Sequence, residues 1–496
     1  MNQAQKIQRV LIANRGEIAA RILRTCKRLD LETVAIFHTV DVQAPFVRDA
    51  DIAVEITGST PTSAYLDIAQ IVEVATAQEA QAIHPGYGFL AENGDFAEAV
   101  LRAGLIFIGP EPAAIRLLGD KVASREFVER HGYPLAPSVP NATDGAALLS
   151  AATEIGFPVL IKAAAGGGGK GMHIVHDAES FQAAYDLAAS EAERYFGDAR
   201  VYCEKYLMKP RHIEVQVLGD EFGNVVHLGE RECSVQRRFQ KVIEETPAPN
   251  LSAQTRQDIC QVAVGIAKAA NYTNAGTVEF IMGDDEKFYF LEMNTRLQVE
   301  HPVTEMVTGI DLVEAQINIA AGSPLPFKQK DIQHLGHSIE LRICAEDADQ
   351  DFVPATGKIC LLQEARGEGV RFDSSLALGS EVTTAFDPML AKLIAHSDTR
   401  EGAREKLIRA LGEQVILGVT TNAAFLARVL NHERFIAGDI HTHFIADHAS
   451  SLSRVEPDDE TLNAVLAAAA FNDEGFEKLM KHLIEPYAAM GAWRNA

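Results

Sequence analysis

Short apolar runs alternate with amphipathic stretches over the first 118 residues, and this order predicts repeated βαβ units. Val10 to Ala13 is apolar, Asn14-Arg15-Gly16 is a turn signal, Glu17 to Leu29 has helical spacing, and Thr33 to Phe37 is apolar again. Two further apolar runs end at Ile83 and Ile108, each followed by glycine and proline. Strands that alternate with helices are typical of a parallel sheet, so we expect a Rossmann-like sheet. Gly16 stands alone, so the G-x-G-x-x-G dinucleotide signature is missing.

A glycine-rich segment joins two predicted strands in the middle of the chain. The apolar run that ends at Lys162 leads into four consecutive glycines, and a second run follows from His173. These glycines are Gly166, Gly167, Gly168 and Gly169. Backbone amides of such a loop can approach a phosphate closely, and Lys162 could meet its oxygens. The P-loop pattern fails because Met172 and a strand follow, and the loop alone equally fits a flexible hairpin tip.

Two acidic strands form a predicted hairpin around the turn at 283–286. In a simple register Met282 faces Lys287 and Glu279 faces Phe290, so Glu292 lies diagonally from Glu279, roughly 7 to 8 Å away. Asn294 follows on the same face. Two carboxylates and an amide oxygen on an apolar hairpin favour a hard divalent cation such as Mg²⁺, although an exposed face with tolerated glutamates remains the alternative.

Polar residues alternate on two neighbouring segments of the sequence. From Arg211 to Leu218, His212, Glu214 and Gln216 share one face. Directly after the hairpin, Arg296, Gln298 and Glu300 alternate, where an arginine and a glutamine could hold a planar carbonate-like anion and Glu300 could take its proton. A basic cluster, Gln236 to Lys241, taken alone is equally consistent with a solvated turn.

Composition narrows the function classes. The chain has 496 residues, enough for about three domains, and 45 basic against 69 acidic residues give a net charge of −24. That charge disfavours duplex nucleic acid as a partner. No apolar run reaches the roughly 18 residues of a membrane span, and the first residues enter a strand instead of offering a signal peptide. Six scattered cysteines without zinc spacing indicate reduced thiols, so we expect a cytoplasmic protein: Cys26, Cys203, Cys233, Cys260, Cys344 and Cys360.

Several long strings together resemble the biotin carboxylase family of ATP-grasp ligases, the component shared by acetyl-CoA, propionyl-CoA, methylcrotonyl-CoA and pyruvate carboxylases. The resemblance runs from Ile7 to about His448. The strings include IANRGEIAARI (12–22), HPGYGFLAEN (84–93), KAAAGGGGKGM (162–172), RHIEVQVLGD (211–220), RECSVQRRFQKVIEE (231–245), EMNTRLQVEHPVTE (292–305) and FDPMLAKLI (386–394).

The resemblance implies a fold class and a division into domains. The fold is α/β (α+β), with the Rossmann-like sheet in an N-terminal domain at 1–118. An ATP-grasp domain at 119–330 carries a mobile glycine-rich lid at about 136–206. A C-terminal mixed α/β, barrel-like domain covers 331–448, and a linker with a helical tail covers 449–496. The tail resembles the start of the connection in longer acyl-CoA carboxylase subunits.

The resemblance also implies roles for individual residues, position by position. The implied ATP contacts are the glycine loop with Lys121, Lys162, Met172, Glu204, Leu207, His212, Gln236 and Ile281. The implied metal ligands for Mg²⁺ or Mn²⁺ are Glu279, Glu292 and Asn294. Bicarbonate would be held by Lys241, Arg296, Gln298, Val299 and Glu300, with Glu300 as the base. Arg342 would stabilise the biotin enolate, and Tyr87 and Asp387 would lie near biotin. Lys241, Arg296, Glu300 and Arg342 are thus the implied catalytic residues.

The implied reaction activates bicarbonate with ATP to carboxyphosphate and then carboxylates biotin. Many members have histidine where this chain has Phe239, and no Met-Lys-Met biotinylation site occurs. The biotin carrier is therefore expected to be another polypeptide or a further segment of a longer chain. A biotin carboxyl carrier protein and a carboxyltransferase subunit are the expected partners, with a homodimer or larger complex implied by the family. Two alternatives remain: another ATP-grasp ligase that joins a carboxylate to an amine, or an inactive nucleotide-binding partner subunit.

Overall fold

The structure is a computed structural model that describes residues 6–139, 145–163, 172–196, 199–454 and 459–471. The chain divides into two compact units, residues 1–452 and 453–496. The second unit contains one described helix, α18 (Asp459–Phe471). Among the described residues, no helix is long and apolar enough to cross a membrane.

A five-stranded sheet occupies the N-terminal part, with strand order β3-β2-β1-β4-β5 and every pair parallel. Its strands are β1 (Arg9–Ile12), β2 (Glu32–Phe37), β3 (Ile52–Glu55), β4 (Ala82–His84) and β5 (Ile106–Phe107). The helices of this part are α1 (Gly16–Arg28), α2 (Pro45–Asp49), α3 (Pro61–Ala64), α4 (Ile68–Ala77), α5 (Gly94–Arg102), α6 (Pro112–Gly119) and α7 (Lys121–Arg130). Val10, Leu11 and Ile12 are all fully buried, as expected for a parallel strand covered on both faces. The predicted parallel sheet is confirmed.

One side chain, just after β1, forms hydrogen bonds to the backbone that follows β4. Asn14 Nδ2 donates to the carbonyl oxygens of Pro85 and Tyr87, both at 2.8 Å. Gly86 between them has a φ of +64°, and a Cβ there would lie 2.9 Å from Asn14 Nδ2, so only glycine fits. This contact fixes the backbone at Tyr87.

The strands on both sides of the glycine-rich segment belong to a four-stranded antiparallel sheet in the order β6-β9-β7-β8. Its strands are β6 (Ser138–Val139), β7 (Val159–Ala163), β8 (Met172–Val175) and β9 (Val201–Lys205), with helices α8 (Gly145–Ile155) and α9 (Ala178–Phe196). Val159, Ile161 and Cys203 pack with Phe181 of α9 in a separate small core. The predicted strands on both sides of the glycines are confirmed, whereas Gly166 to Gly169 lie outside the described residues.

An eight-stranded antiparallel sheet forms the centre of the larger unit, in the order β14-β13-β10-β11-β12-β15-β22-β20. Its strands are β10 (Arg211–Gly219), β11 (Val225–Arg237), β12 (Gln240–Thr246), β13 (Asn274–Met282), β14 (Phe288–Asn294), β15 (His337–Cys344), β20 (Val370–Ser374) and β22 (Met389–Ser397). Helices α10 (Ala253–Ala269), α11 (His301–Thr308) and α12 (Leu312–Ala320) lie between these strands in sequence. The sheet contains strands from both sides of position 330, the domain boundary that the resemblance implies, because β12 pairs with β15.

Short strands and helices complete the larger unit. The remaining strands are β16 (Glu346–Asp347), β17 (Val353–Pro354), β18 (Gly357–Lys358), β19 (Leu361–Gln363), β21 (Glu381–Val382) and β23 (Val415–Leu417). The remaining helices are α13 (Arg400–Glu413), α14 (Ala423–Leu430), α15 (Glu433–Ile436), α16 (Phe444–Asp447) and α17 (Ala449–Leu452), with 3₁₀ turns at Thr39–Asp41 and Gln329–Asp331. The mixed α/β fold class is confirmed.

Candidate active site

The acidic hairpin pairs in a register different from the predicted one. Glu279 lies directly opposite Glu292, and Phe280 opposite Phe290, with a β-bulge between the two pairs. The predicted pairing of Glu279 with Phe290, and of Met282 with Lys287, is wrong. The bulge lets both phenylalanines enter the core while both glutamates stay on the other face, which an unbulged register cannot do. Glu279 and Glu292 are therefore direct cross-strand neighbours instead of diagonal ones.

Glu279 accepts contacts from four side chains. Oε1 lies 2.9 Å from Lys241 Nζ, 2.7 Å from Asn294 Nδ2 and 2.8 Å from Gln298 Nε2, and Oε2 lies 2.7 Å from His212 Nε2. Burial raises the pKa of this carboxyl, but the charges of Lys241 and His212 outweigh burial and hold its pKa well below the usual range. Glu279 is thus a fixed negative charge.

The pKa of Glu292 is shifted in the opposite direction, above its usual value. Burial raises the pKa of its carboxyl, and the charge of Glu279 raises it further, with only partial relief from Lys121. Lys121 Nζ lies 3.7 Å from Glu292 Oε2, at the start of α7. Two facing carboxylates, of which Glu292 is only weakly compensated, fit a divalent cation. The amide oxygen of Asn294 now accepts from Arg296 while its nitrogen donates to Glu279, so it would act as a third ligand of the kind Mg²⁺ accepts only after the amide turns.

Lys241 is the common partner of three buried glutamates. Besides Glu279, its ammonium lies 2.6 Å from Glu214 and 2.7 Å from Glu300. Although burial lowers the pKa of this lysine, the three carboxylates raise it well above the usual value. Glu214 also binds the fully buried Arg231 at 2.5 Å. The polar face predicted on β10 is therefore the floor of this site.

Glu300 lies between two cations just before α11. Lys241 contacts Oε1, and an Arg342 terminal nitrogen lies 3.0 Å from Oε2. Burial raises the pKa of Glu300, but Lys241, Arg342 and Arg231 together hold it well below the usual range. Arg342 reaches this position because β15 pairs with β12, and its Nε also binds Glu244 at 2.5 Å.

Arg296 is held by residues from three segments. Its Nε donates to Glu92 at 2.9 Å, one terminal nitrogen donates to Gln298 Oε1 at 2.8 Å, and the other donates to Asn294 Oδ1 at 2.9 Å. Sequence reasoning missed Glu92, which lies within the string at 84–93; nothing in its local spacing distinguishes it. The carbonyl oxygen of Val299 accepts a hydrogen bond from Lys392 at 2.8 Å. Sequence reasoning did not single out Lys392 either.

The predicted nucleotide contacts outside the glycine loop lie on strands of both antiparallel sheets, in the loop after β9 and at the start of α7. Lys162 of β7 forms an ion pair with Glu204 of β9, and Met172 of β8 is its direct cross-strand neighbour. Gln236 Nε2 lies 2.7 Å from His212 Nδ1, and His212 pairs with Ile281 on β13. Leu207 lies beside Gly283 of the hairpin turn. The predicted glycines lie outside the described residues, so their part in this surface stays a prediction.

The two predicted biotin-proximal residues lie on different segments. The Tyr87 ring centre is 5.8 Å from Lys392 Nζ, and the buried Tyr87 hydroxyl has no hydrogen-bond partner among the described residues. Asp387 accepts from the Met389 amide at 3.0 Å. Within the described part of the chain, no hydrogen bond or ion pair joins Asp387 to Arg342. Phe239 is 75% exposed at the tip of the β11–β12 turn.

Three family models match successive parts of the chain. Residues 6–115 match the model described as biotin carboxylase, N-terminal domain, and residues 340–447 match biotin carboxylase C-terminal domain. Residues 120–328 match carbamoyl-phosphate synthase L chain, ATP binding domain.

Individual proteins resemble the chain over most of its length. Biotin carboxylase 2 of Bacillus subtilis is 48% identical over 441 residues, which cover 89% of this chain and 99% of that protein. The mitochondrial methylcrotonoyl-CoA carboxylase subunit alpha of Dictyostelium discoideum is 44% identical over 492 residues, which cover 98% of this chain and 70% of that protein. The solved biotin carboxylase domain dimer of Hydrogenobacter thermophilus 2-oxoglutarate carboxylase, in complex with MgADP, ADP and bicarbonate, has a TM-score of 0.84 at 43% identity and covers 91% of this chain and 100% of that one.

Proposed function

The chain belongs to the biotin carboxylase family, and we propose that it is an ATP-dependent ligase that uses bicarbonate to carboxylate biotin on a carrier protein. The observation that carries this proposal is the placement of Glu300 between Lys241 and Arg342 and beside the Arg296–Gln298 pair. Cations with a planar hydrogen-bonding fork suit a small planar oxyanion, and a carboxylate beside them suits a proton transfer.

Bicarbonate would bind between Arg296, Gln298 and Lys241, with the Val299 and Glu300 backbone closing one side. Glu300 is ionised before bicarbonate arrives, because the two cations stabilise its charge. When bicarbonate draws Lys241 toward itself, the pKa of Glu300 rises, and the carboxylate becomes a better base for the bicarbonate proton.

The oxygens of Glu279, Glu292 and Asn294 fit Mg²⁺ or Mn²⁺, which would neutralise the phosphate oxygens of ATP. ATP would contact Lys121, Lys162, Glu204, His212 and Gln236, with its base against Leu207 and Ile281. Met172 and the glycines at 166–169 would cover the phosphates. Positive charge along the phosphates lowers the cost of phosphoryl transfer.

In the first step a bicarbonate oxygen forms a bond to the γ-phosphorus of ATP, and the bond between the γ-phosphorus and the oxygen that leaves with ADP breaks. Glu300 takes the bicarbonate proton. The product, carboxyphosphate, then releases carbon dioxide and phosphate. The phosphate, or Glu300 indirectly, removes the ureido proton of biotin, and Arg342 stabilises the resulting enolate before N1 attacks carbon dioxide. Tyr87 and Asp387 would lie beside biotin.

A biotin carboxyl carrier protein and a carboxyltransferase subunit are the proposed partners, in a homodimer or larger complex. Support comes from the dimeric biotin carboxylase domain and from the carboxylase subunit that resembles this chain beyond residue 450. We further propose the division 1–118, 119–330, 331–448 and 449–496, which is close to the ranges of the matched models. All six cysteines are free, which supports a reducing compartment such as the cytoplasm.

The alternative of a carboxylate–amine ligase accounts for the central match alone, whereas biotin carboxylase models also match on both sides of it. Phosphate release from ATP, measured with and without bicarbonate and free biotin, tests the proposal. Release that requires bicarbonate and rises with biotin is the expected result. Release driven by an amine, or none in a folded preparation, would favour one of the two alternatives.

A further inference from the structure

A fully buried lysine on β22 contacts the segment that carries Glu300. Lys392 Nζ donates to the Val299 carbonyl oxygen at 2.8 Å and lies 3.3 Å from Glu17 Oε2 in the first turn of α1. Its side chain has no exposed surface. One ammonium therefore contacts two segments that are far apart in sequence from each other and from β22.

The bonded carbonyl belongs to the peptide group that leads into Glu300. The segment 295–300 is neither helix nor strand, since β14 ends at Asn294 and α11 begins at His301. Its backbone hydrogen bonding is limited to a turn, in which the His301 amide donates to the Gln298 carbonyl oxygen at 3.3 Å, so side-chain contacts also orient it. The Lys392 bond fixes the plane of the Val299–Glu300 peptide and hence the direction in which the Glu300 side chain leaves the backbone.

The carboxylates around Lys392 compensate its burial unequally: its charge helps to hold the pKa of Asp373, its cross-strand neighbour on β20, well below the usual range, whereas Glu17 and Glu340 respond differently. Burial raises the pKa of Glu17 to about 7 despite the opposing charge of Lys392. Glu340, also fully buried nearby, has no hydrogen-bond partner on either oxygen within the described residues, and burial raises its pKa well above the usual value. A buried ammonium with such partners costs stability. The hydrogen bond to the Val299 carbonyl oxygen, at 2.8 Å, is shorter than the contact of Lys392 with Glu17.

The register of the sheet ties this lysine to Arg342. Lys392 on β22 is the direct cross-strand partner of Arg342 on β15, so both side chains rise from the same face. Arg342 contacts the Glu300 carboxylate, whereas Lys392 contacts the peptide before it. Arg342 thus holds the side chain of Glu300, and Lys392 holds the peptide group that precedes it.

We propose that Lys392, steadied by Glu17, is a positioning residue that sets the geometry of the Val299–Glu300 segment for bicarbonate. The inference rests on the proposed function. It assigns Lys392 no contact with ATP, so its loss should affect bicarbonate and leave the nucleotide alone.

Lys392→Met tests this, with Lys406→Met as the matched control. Lys406 also donates to a backbone carbonyl of β22, that of His396 at 2.9 Å, at the strand end away from Arg342. Bicarbonate-dependent ATP turnover by the full chain gives both KM values. We expect the bicarbonate KM of Lys392→Met to rise by about tenfold to 100-fold, since misplacing a reacting group by ~1 Å costs ~100-fold. The ATP KM of both variants should stay within about twofold, because neither lysine is assigned a contact with the nucleotide. The bicarbonate KM of Lys406→Met should stay within the same range, because Lys406 bonds the far end of β22 and leaves the Val299–Glu300 geometry untouched.

Glu17→Gln is the second variant, and it decides the question alone if Lys392→Met does not fold. It keeps the shape of Glu17 but removes its charge, so the bicarbonate KM should rise by a few-fold with an unchanged ATP KM. A bicarbonate KM equal to that of Lys406→Met, in an active Lys392→Met or otherwise in Glu17→Gln, overturns the inference. A wild-type chain without bicarbonate-dependent turnover instead overturns the proposed function, and the inference with it.

Discussion

The two ends of the site differ in how their basic side chains are held. At the anion end, Lys241 and Arg342 are mostly buried and each already contacts two or more glutamates. At the nucleotide end, Lys121 is 71% exposed and reaches Glu292 only at 3.7 Å, and Lys162 pairs with Glu204 on a separate sheet.

The difference indicates two modes of recognition. A small anion needs positions fixed to a fraction of an ångström, which a buried ion network with many hydrogen bonds provides. A large, flexible triphosphate can be gathered by lysines with few fixed contacts, such as the exposed Lys121, that move onto it. Four perturbations test this contrast, and the largest effect is expected at the anion end.

Glu300→Gln should reduce biotin carboxylation by about 10²- to 10⁴-fold, because glutamine cannot accept the bicarbonate proton. The MgATP affinity, measured by calorimetry, should not change, since Glu300 contacts only residues of the anion end. Normal turnover of this variant on free biotin would exclude Glu300 as the base.

The paired change Glu279→Ala with Glu292→Ala should weaken MgATP binding by more than about tenfold, because both proposed metal carboxylates are removed. Calorimetry with and without Mg²⁺ measures the effect, and affinity for metal-free ATP should change less. Asp285→Ala on the same hairpin is the control, since that carboxylate pairs with Lys287 on the exposed turn. Equal MgATP affinity in the double variant and the control would refute the hairpin metal site.

Lys162→Met should raise the ATP KM by about tenfold, the size of one charge-assisted contact, and leave the bicarbonate KM unchanged. Lys287→Met provides the comparison, because it removes an exposed lysine of the hairpin turn. If Lys162→Met raised the bicarbonate KM instead, the division into two ends would be wrong.

Glu244→Gln should change how thermal stability depends on pH. Burial raises the pKa of Glu244 from its ordinary value of 4.5 to about 7, against the opposing charge of Arg342. The folded chain therefore binds this proton more tightly than the unfolded chain, so the associated stability is complete below pH 4.5 and is lost as the pH rises to about 7. Glutamine mimics the protonated acid, so the variant's melting temperature should fall less than that of the wild type between pH 5 and 8. Parallel curves would contradict the raised pKa.

Local sequence patterns were enough to predict many of the helices and strands and part of the candidate site. Alternation on β10 placed His212, Glu214 and Gln216 on one face, and the turn after Met282 marked the hairpin, because strand periodicity is a property of neighbouring residues. The hairpin register escaped this reasoning. The bulge at Glu279 and Phe280 depends on which faces the core buries, and the core is assembled from other strands.

The sequence by itself determined the parallel N-terminal sheet, the strands on both sides of the glycines and, through long shared strings, the family. Only the tertiary structure decided that Arg342, Glu92 and Lys392 converge on the segment 296–300. The folding of strands and loops onto one another brings together residues that are up to 204 positions apart, and no local spacing encodes such contacts. The charge balance of the site follows from the same packing, because burial and neighbouring charges shift a pKa only once the chain has folded.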